Sequence, residues 1–121
     1  MQARVETIEW ISEAAQEAEV AIATSDVSLL AFCHPCELEI GSMVTSPIHA
    51  LGARGIELDP GASHSVRSTG GFGHMVTGVL IDCDRQIVSS CGFLIALDDY
   101  LPGGLSVGDT ISFHCGRLDI W

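Results

Sequence analysis

Residues 75–97 read MVTGVLIDCDRQIVSSCGFLIAL, and this stretch decides the fold class. Cys91, Phe93, Ile95 and Leu97 alternate strictly with their neighbours, the period-two pattern of a half-buried strand. Val76–Ile81 and Ile87-Val88 are two more apolar runs. The segment DCDRQ at 82–86 separates them and reads as a turn.

The same grammar continues on both sides. Downstream, Asp98-Asp99 and Pro102-Gly103-Gly104 make the next turn, followed by Leu105–Val107, then Ile111, Phe113 and Cys115, and Leu118–Ile120. Upstream, Val27–Phe32 is an apolar run too short for a helix. Met43-Val44 follows Gly41-Ser42, and Ile56 and Leu58 alternate before Asp59-Pro60-Gly61. The sum is seven to nine short strands punctuated by Gly, Pro and Asp, which predicts a mainly β fold, a small barrel or sandwich.

The N-terminal stretch carries two patterns. Val5, Ile8, Ile11, Ala15, Ala18 and Ile22 fall at helical spacing, and SEAAQEAE at 12–19 is rich in helix formers. VAIAT at 20–24 alternates instead. The expectation is at most one short helix, a turn around residues 12–17, before a strand at about 19–24.

Two segments echo each other. LEIGSMV (38–44) and LSVGDTI (105–111) share the order apolar, any, apolar, Gly, small or acidic, any, apolar. Both predict a glycine turn feeding a strand. The module resembles the turn of several small β-barrels; it implies architecture and no particular activity. Whether the halves are a duplication stays open on spacing alone.

With 121 residues the chain is expected to be a single domain, 1–121. Its longest apolar runs, Leu29–Cys33 and Phe93–Leu97, fall far short of the roughly 20 residues a membrane helix needs. MQARVETIEW has an acid early and no apolar core of a secretory signal. These features predict a cytoplasmic protein with no membrane partner.

Sixteen acidic residues face five basic ones, all arginine, for a net charge of −11. Such a chain repels phosphates, so nucleic acid is not an expected partner. A basic protein partner is favoured, and so is solubility.

FCHPC at 32–36 is the one motif with chemistry in it. It is similar to the thioredoxin active-site motif, W-C-G-P-C, over these five residues. That resemblance implies a dithiol redox centre, in which the first cysteine caps a helix whose N-terminus lowers its pKa. Here ELEIGSMVTSP follows, interrupted by Gly41 and Pro47, and no βαβ pattern surrounds it. Cys-x-x-Cys is also half of a zinc site, which makes Cys33, His34 and Cys36 the candidate metal ligands. The five cysteines, an odd number, are expected to be reduced thiols, several of them packed in the core. In a regular strand Cys33 and Cys36 would stand about 10 Å apart, beyond the roughly 7 Å a disulfide allows.

The longest irregular stretch is DPGASHSVRSTGGFGH at 59–74. It lacks a Gly-Lys-Ser/Thr phosphate loop, and Val76 stands where a dinucleotide fingerprint needs a third Gly or Ala. It reads as a loop offering His64, Arg67, Phe72 and His74 to a partner or closing as a lid. Asp98 and Asp99 are candidates for an acidic rim. No G-x-S-x-G or H-E-x-x-H occurs.

The expected function is a small acidic, non-catalytic protein-binding module, comparable in charge and size to an immunity protein or antitoxin that masks a basic toxin. The alternative is a metal- or thiol-dependent site at Cys33-His34-Pro35-Cys36. No cofactor is expected, zinc being the one weighed. Unpaired β edges also make a homo-oligomer, such as a homodimer, an expectation to test.

Overall fold

The computed structural model describes residues 1–121 and contains no helix. Its twelve strands are β1 (Ala3–Ser12), β2 (Glu17–Ala23), β3 (Ser28–Cys33), β4 (Met43–Val44), β5 (Ile48–Leu51), β6 (Arg54–Leu58), β7 (Ser65–Gly70), β8 (Gly73–Asp82), β9 (Ile87–Ser90), β10 (Phe93–Leu97), β11 (Thr110–Cys115) and β12 (Arg117–Ile120). No helix is long and apolar enough to cross a membrane.

All strands join one mixed sheet in the order β4-β1-β2-β3-β12-β5-β10-β9-β8-β11-β6, with β7 beside β8. The order is symmetric about the boundary between β12 and β5. Exchanging β1–β5 with β8–β12 maps the first ten strands of the path onto themselves. Both parallel pairings, β3 with β12 and β10 with β5, flank that boundary. β6 and β7 are inserted between the halves and pair with β11 and β8.

Hydrogen bonds make the repeat concrete. The Gly41 N–H donates to Val5 O at 2.8 Å, and the Val5 N–H to Ser42 O at 2.9 Å. In the second half the Gly108 N–H donates to Leu80 O at 2.8 Å, and the Leu80 N–H to Asp109 O at 2.9 Å. Ser42 Oγ accepts the Glu39 N–H, as Asp109 Oδ2 accepts the Ser106 N–H. Gly41 and Gly108 take φ of 92° and 98°, a region in which glycine carries no Cβ penalty. The echo between residues 38–44 and 105–111 is therefore the same turn built twice. The β1–β2 and β8–β9 hairpins also share a four-residue turn with a glutamine, Gln16 or Gln86, at φ 55°.

Alternation sets the core. Ala18, Val20 and Ile22 of β2, Leu29, Ala31 and Cys33 of β3, and Phe93, Ile95 and Leu97 of β10 point inward. They join a single cluster of 25 buried residues drawn from both halves. Phe93 and Phe113 are its largest fully buried members. Where β8 meets β9 the backbones come very close: a Cβ on Gly78 would sit 2.4 Å from Ser89 O.

The mainly β expectation holds, with three corrections of detail. There are twelve strands, because several of two to four residues leave little alternation to read. The sheet does not close into a barrel, since β4 and β6 end it without pairing to each other. Residues 12–17 are the end of β1, a tight turn and the start of β2, with no helix. Ile8, Ala18, Val20 and Ile22 bury better as a hairpin over the core than as one stripe of an isolated helix.

Candidate functional site

The halves differ at the β1–β2 hairpin. β1 continues from Val5 to Ser12, whereas β8 ends at Asp82, just past Leu80. This extension has no counterpart in the second half, and it is where the charge collects. Glu6, Glu9, Glu13, Glu17 and Glu19 all lie on this hairpin, with no arginine between them. Thr7 pairs with Ala21, Glu9 with Glu19 and Trp10 with Ala18. Ala18 is fully buried, so Trp10 stands on the inward side and the two glutamates face outward.

Beyond Val5, β1 is bonded on one side only. β4 pairs with Ala3 and Arg4, the Gly41–Ser42 turn takes Val5, and from Glu6 onward the sole ladder partner is β2. Glu6, Thr7, Glu9, Trp10 and Ile11 are exposed along this free edge. Trp10 at 43% and Ile11 at 53% are unusually open for apolar side chains in a strand.

The outward row of Glu9 and Glu19 continues across the sheet. Glu19 pairs with Phe32, Phe32 with Asp119, and Asp119 with His49. Arg117 grips Asp119 with two hydrogen bonds, Nε–Oδ1 at 2.6 Å and Nη2–Oδ2 at 2.9 Å. Its guanidinium lies 4.1 Å from the centre of the Phe32 ring, a cation–π contact. Phe72 meets Phe32 edge-on at 6.0 Å. His49 stacks on Trp121 with centroids 3.6 Å apart. Burial lowers the His49 pKa from its usual value, and the Asp119 carboxylate opposes that shift. The pair Arg117–Asp119 is the only salt bridge, so fifteen of the sixteen acids have no basic partner within 4 Å.

FCHPC lies at the end of β3. Cys33 and Cys36 are both buried in the core and all five cysteines are free. The chain bends at His34-Pro35, after which the Cys36 N–H donates to Gln16 O at 2.8 Å, and Cys33 Sγ lies 4.0 Å from Pro35 O. Burial, then the neighbouring Cys36 thiol, pushes the Cys33 pKa up to about 12, the opposite of an activated redox thiol. No three His, Cys, Asp or Glu side chains converge on a point able to hold a metal ion. Beside the motif is an open groove of about 450 Å³ lined by Cys33, His34, Leu38, Met43, Ile120 and Trp121 among others.

The 59–74 stretch is not one irregular loop. β7 and the start of β8 form a hairpin within it, pairing Val66 with Val76 and Ser68 with His74. That leaves no long lid. His64 and Arg67 are exposed, and Arg67 Nη2 reaches Met75 Sδ at 3.2 Å. His74 is buried and donates from Nδ1 to Phe72 O at 2.9 Å. Burial lowers its pKa, with the Phe72 carbonyl opposing. Of this segment's candidates only Phe72 joins the outward cluster. Asp98 is a turn cap whose carboxylate accepts the Gly52 and Ala53 N–H groups. Asp99 Oδ1 accepts the Tyr100 N–H. Glu9, Glu19, Trp10 and Ile11 are the residues that sequence reasoning missed as a site.

Comparison with protein-family models, with curated proteins and with solved structures finds no match for this chain.

Proposed function

We propose that the chain is a non-catalytic protein-binding module that takes a basic protein partner on the acidic β1–β2 hairpin. The observation that carries this reading is Glu9 set directly opposite Glu19 with no basic neighbour. Like charges facing across a ladder destabilise the free fold, and a cationic partner would relieve that repulsion. The exposed Trp10, next to Glu9 along the strand and on the hairpin's other face, supplies an apolar anchor of the type that dominates interfaces. The wider negative field would speed encounter with a cation-rich surface. An immunity-type or antitoxin-type protein has these requirements, and the five free thiols suit a reducing, cytoplasmic setting.

The test is titration of the protein with a synthetic arginine-rich peptide and with a glutamate-rich control. The arginine peptide alone should bind, with affinity falling steeply as salt rises. The double variant Glu9→Gln/Glu19→Gln should weaken binding by about tenfold, roughly 1.4 kcal/mol. Binding that is indifferent to this variant would move the interface off the hairpin.

A further inference from the structure

We infer that the open edge of β1, from Glu6 to Ser12, accepts an extended segment of the partner as an added strand, and that the segment alternates basic and apolar residues. The inference rests on the proposed acidic binding hairpin and specifies how it recognises its partner.

Three observations lead there. First, the edge is free: beyond Val5, β1 pairs only with β2. An unpaired edge presents a row of backbone N–H and C=O groups to any extended chain. Second, the two faces of the hairpin differ along this edge. Thr7 and Glu9 lie outward with Glu19 behind Glu9, while Ile8 and Trp10 lie inward, opposite Val20 and Ala18. A strand laid beside β1 sends alternate side chains to these two faces. One set meets carboxylates, the other meets Ile8 and Trp10, so the complementary sequence has a period of two, basic then apolar. Third, a second copy of this edge offers no cation to Glu6 or Glu9, and paired parallel in register it sets each beside its own like. The bulges in β1 at Val5/Thr7 and at Trp10/Ser12 bracket a regular ladder from Thr7 to Trp10. The middle of the stretch that would receive the partner, Thr7–Trp10, is therefore regular strand.

The probe is a peptide of alternating lysine and valine. It is compared with a block peptide of the same composition, lysines first and valines after, and with the alternating peptide N-methylated at every second residue. N-methylation keeps charge and side chains but removes backbone donors. All changes are made in the peptide, so the protein's folding is not at issue. The expected result is binding of the alternating peptide at least about tenfold tighter than either control, with amide-exchange protection gained within Glu6–Ser12. Equal binding of all three would overturn strand addition and leave the charge-based function standing. No binding by any of the three would overturn both.

Discussion

Glu9 and Glu19 face each other across the β1–β2 ladder, on the outward side of the sheet, with no cation beside either. If the pair serves binding at the expense of stability, replacing one charge should stabilise the free protein. Glu9→Arg converts a repulsive cross-strand pair into an attractive one. It should raise stability by about 0.2–1 kcal/mol at low salt, read as a higher urea midpoint, and the gain should shrink in concentrated salt. The same variant should lose the arginine-rich peptide. A lower midpoint would mean that Glu9 has a favourable partner in solution.

That relationship is invisible in the sequence, because it depends on register. The alternation at Cys91–Leu97 and the Gly, Pro and Asp punctuation made the mainly β class legible, since period-two burial survives any strand order. The paired glycine turns at Gly41 and Gly108 were legible as an echo, because the positive φ demands the same residue twice. Strand β7 was not. SVRSTG buries only Val66, so its composition is that of a loop. Residues 12–17 misled for the converse reason: alanine and glutamate favour a helix locally, while the burial of Ala18, Val20 and Ile22 selects the hairpin. FCHPC drew attention through its spacing, yet burial decides a thiol's reactivity.

The cysteines should therefore divide by accessibility. Cys83 is exposed in the β8–β9 turn and Cys91 is half-buried, whereas Cys33, Cys36 and Cys115 are buried. Burial pushes the Cys115 thiol up to about 11, and Cys33 higher still. Brief alkylation of the native protein at neutral pH, read by peptide mapping, should modify Cys83 first. It should leave Cys33, Cys36 and Cys115 untouched until denaturant is added. Rapid labelling of Cys33 would return FCHPC to consideration as a thiol centre.

His49 and His74 both have pKa values lowered from 6.5 by burial. The unfolded chain therefore takes up protons at a higher pH than the folded one. Their contribution is fully present above pH 6.5 and is lost as pH falls below it toward the folded values. Urea midpoints measured on either side of pH 6.5 should drop on the acid side. His74→Asn keeps a donor for the Phe72 carbonyl without titrating, and it should flatten part of that slope while lowering stability at neutral pH. An unchanged slope in this variant would assign the dependence to other groups.

Thr77 and Ser112 are buried polar residues on β8 and β11 whose hydroxyls lie 2.8 Å apart. Ser112 Oγ also donates to Asp59 Oδ2 at 2.8 Å, tying the start of the 59–64 turn to the sheet. With Ser112 bonded to the carboxylate, the Thr77 hydroxyl donates to Ser112. Ser112→Ala leaves the Thr77 hydroxyl buried without that partner and frees the Asp59 carboxylate. It should cost about 1–3 kcal/mol in chemical denaturation. Thr77→Val in the Ser112→Ala background removes the stranded hydroxyl while keeping its shape. The double variant should therefore be more stable than Ser112→Ala alone, because an apolar pair leaves nothing unsatisfied. If the two losses simply add, the hydroxyls act independently, and the contact between β8 and β11 is held by Phe113, Val76 and the backbone ladder without help from this pair.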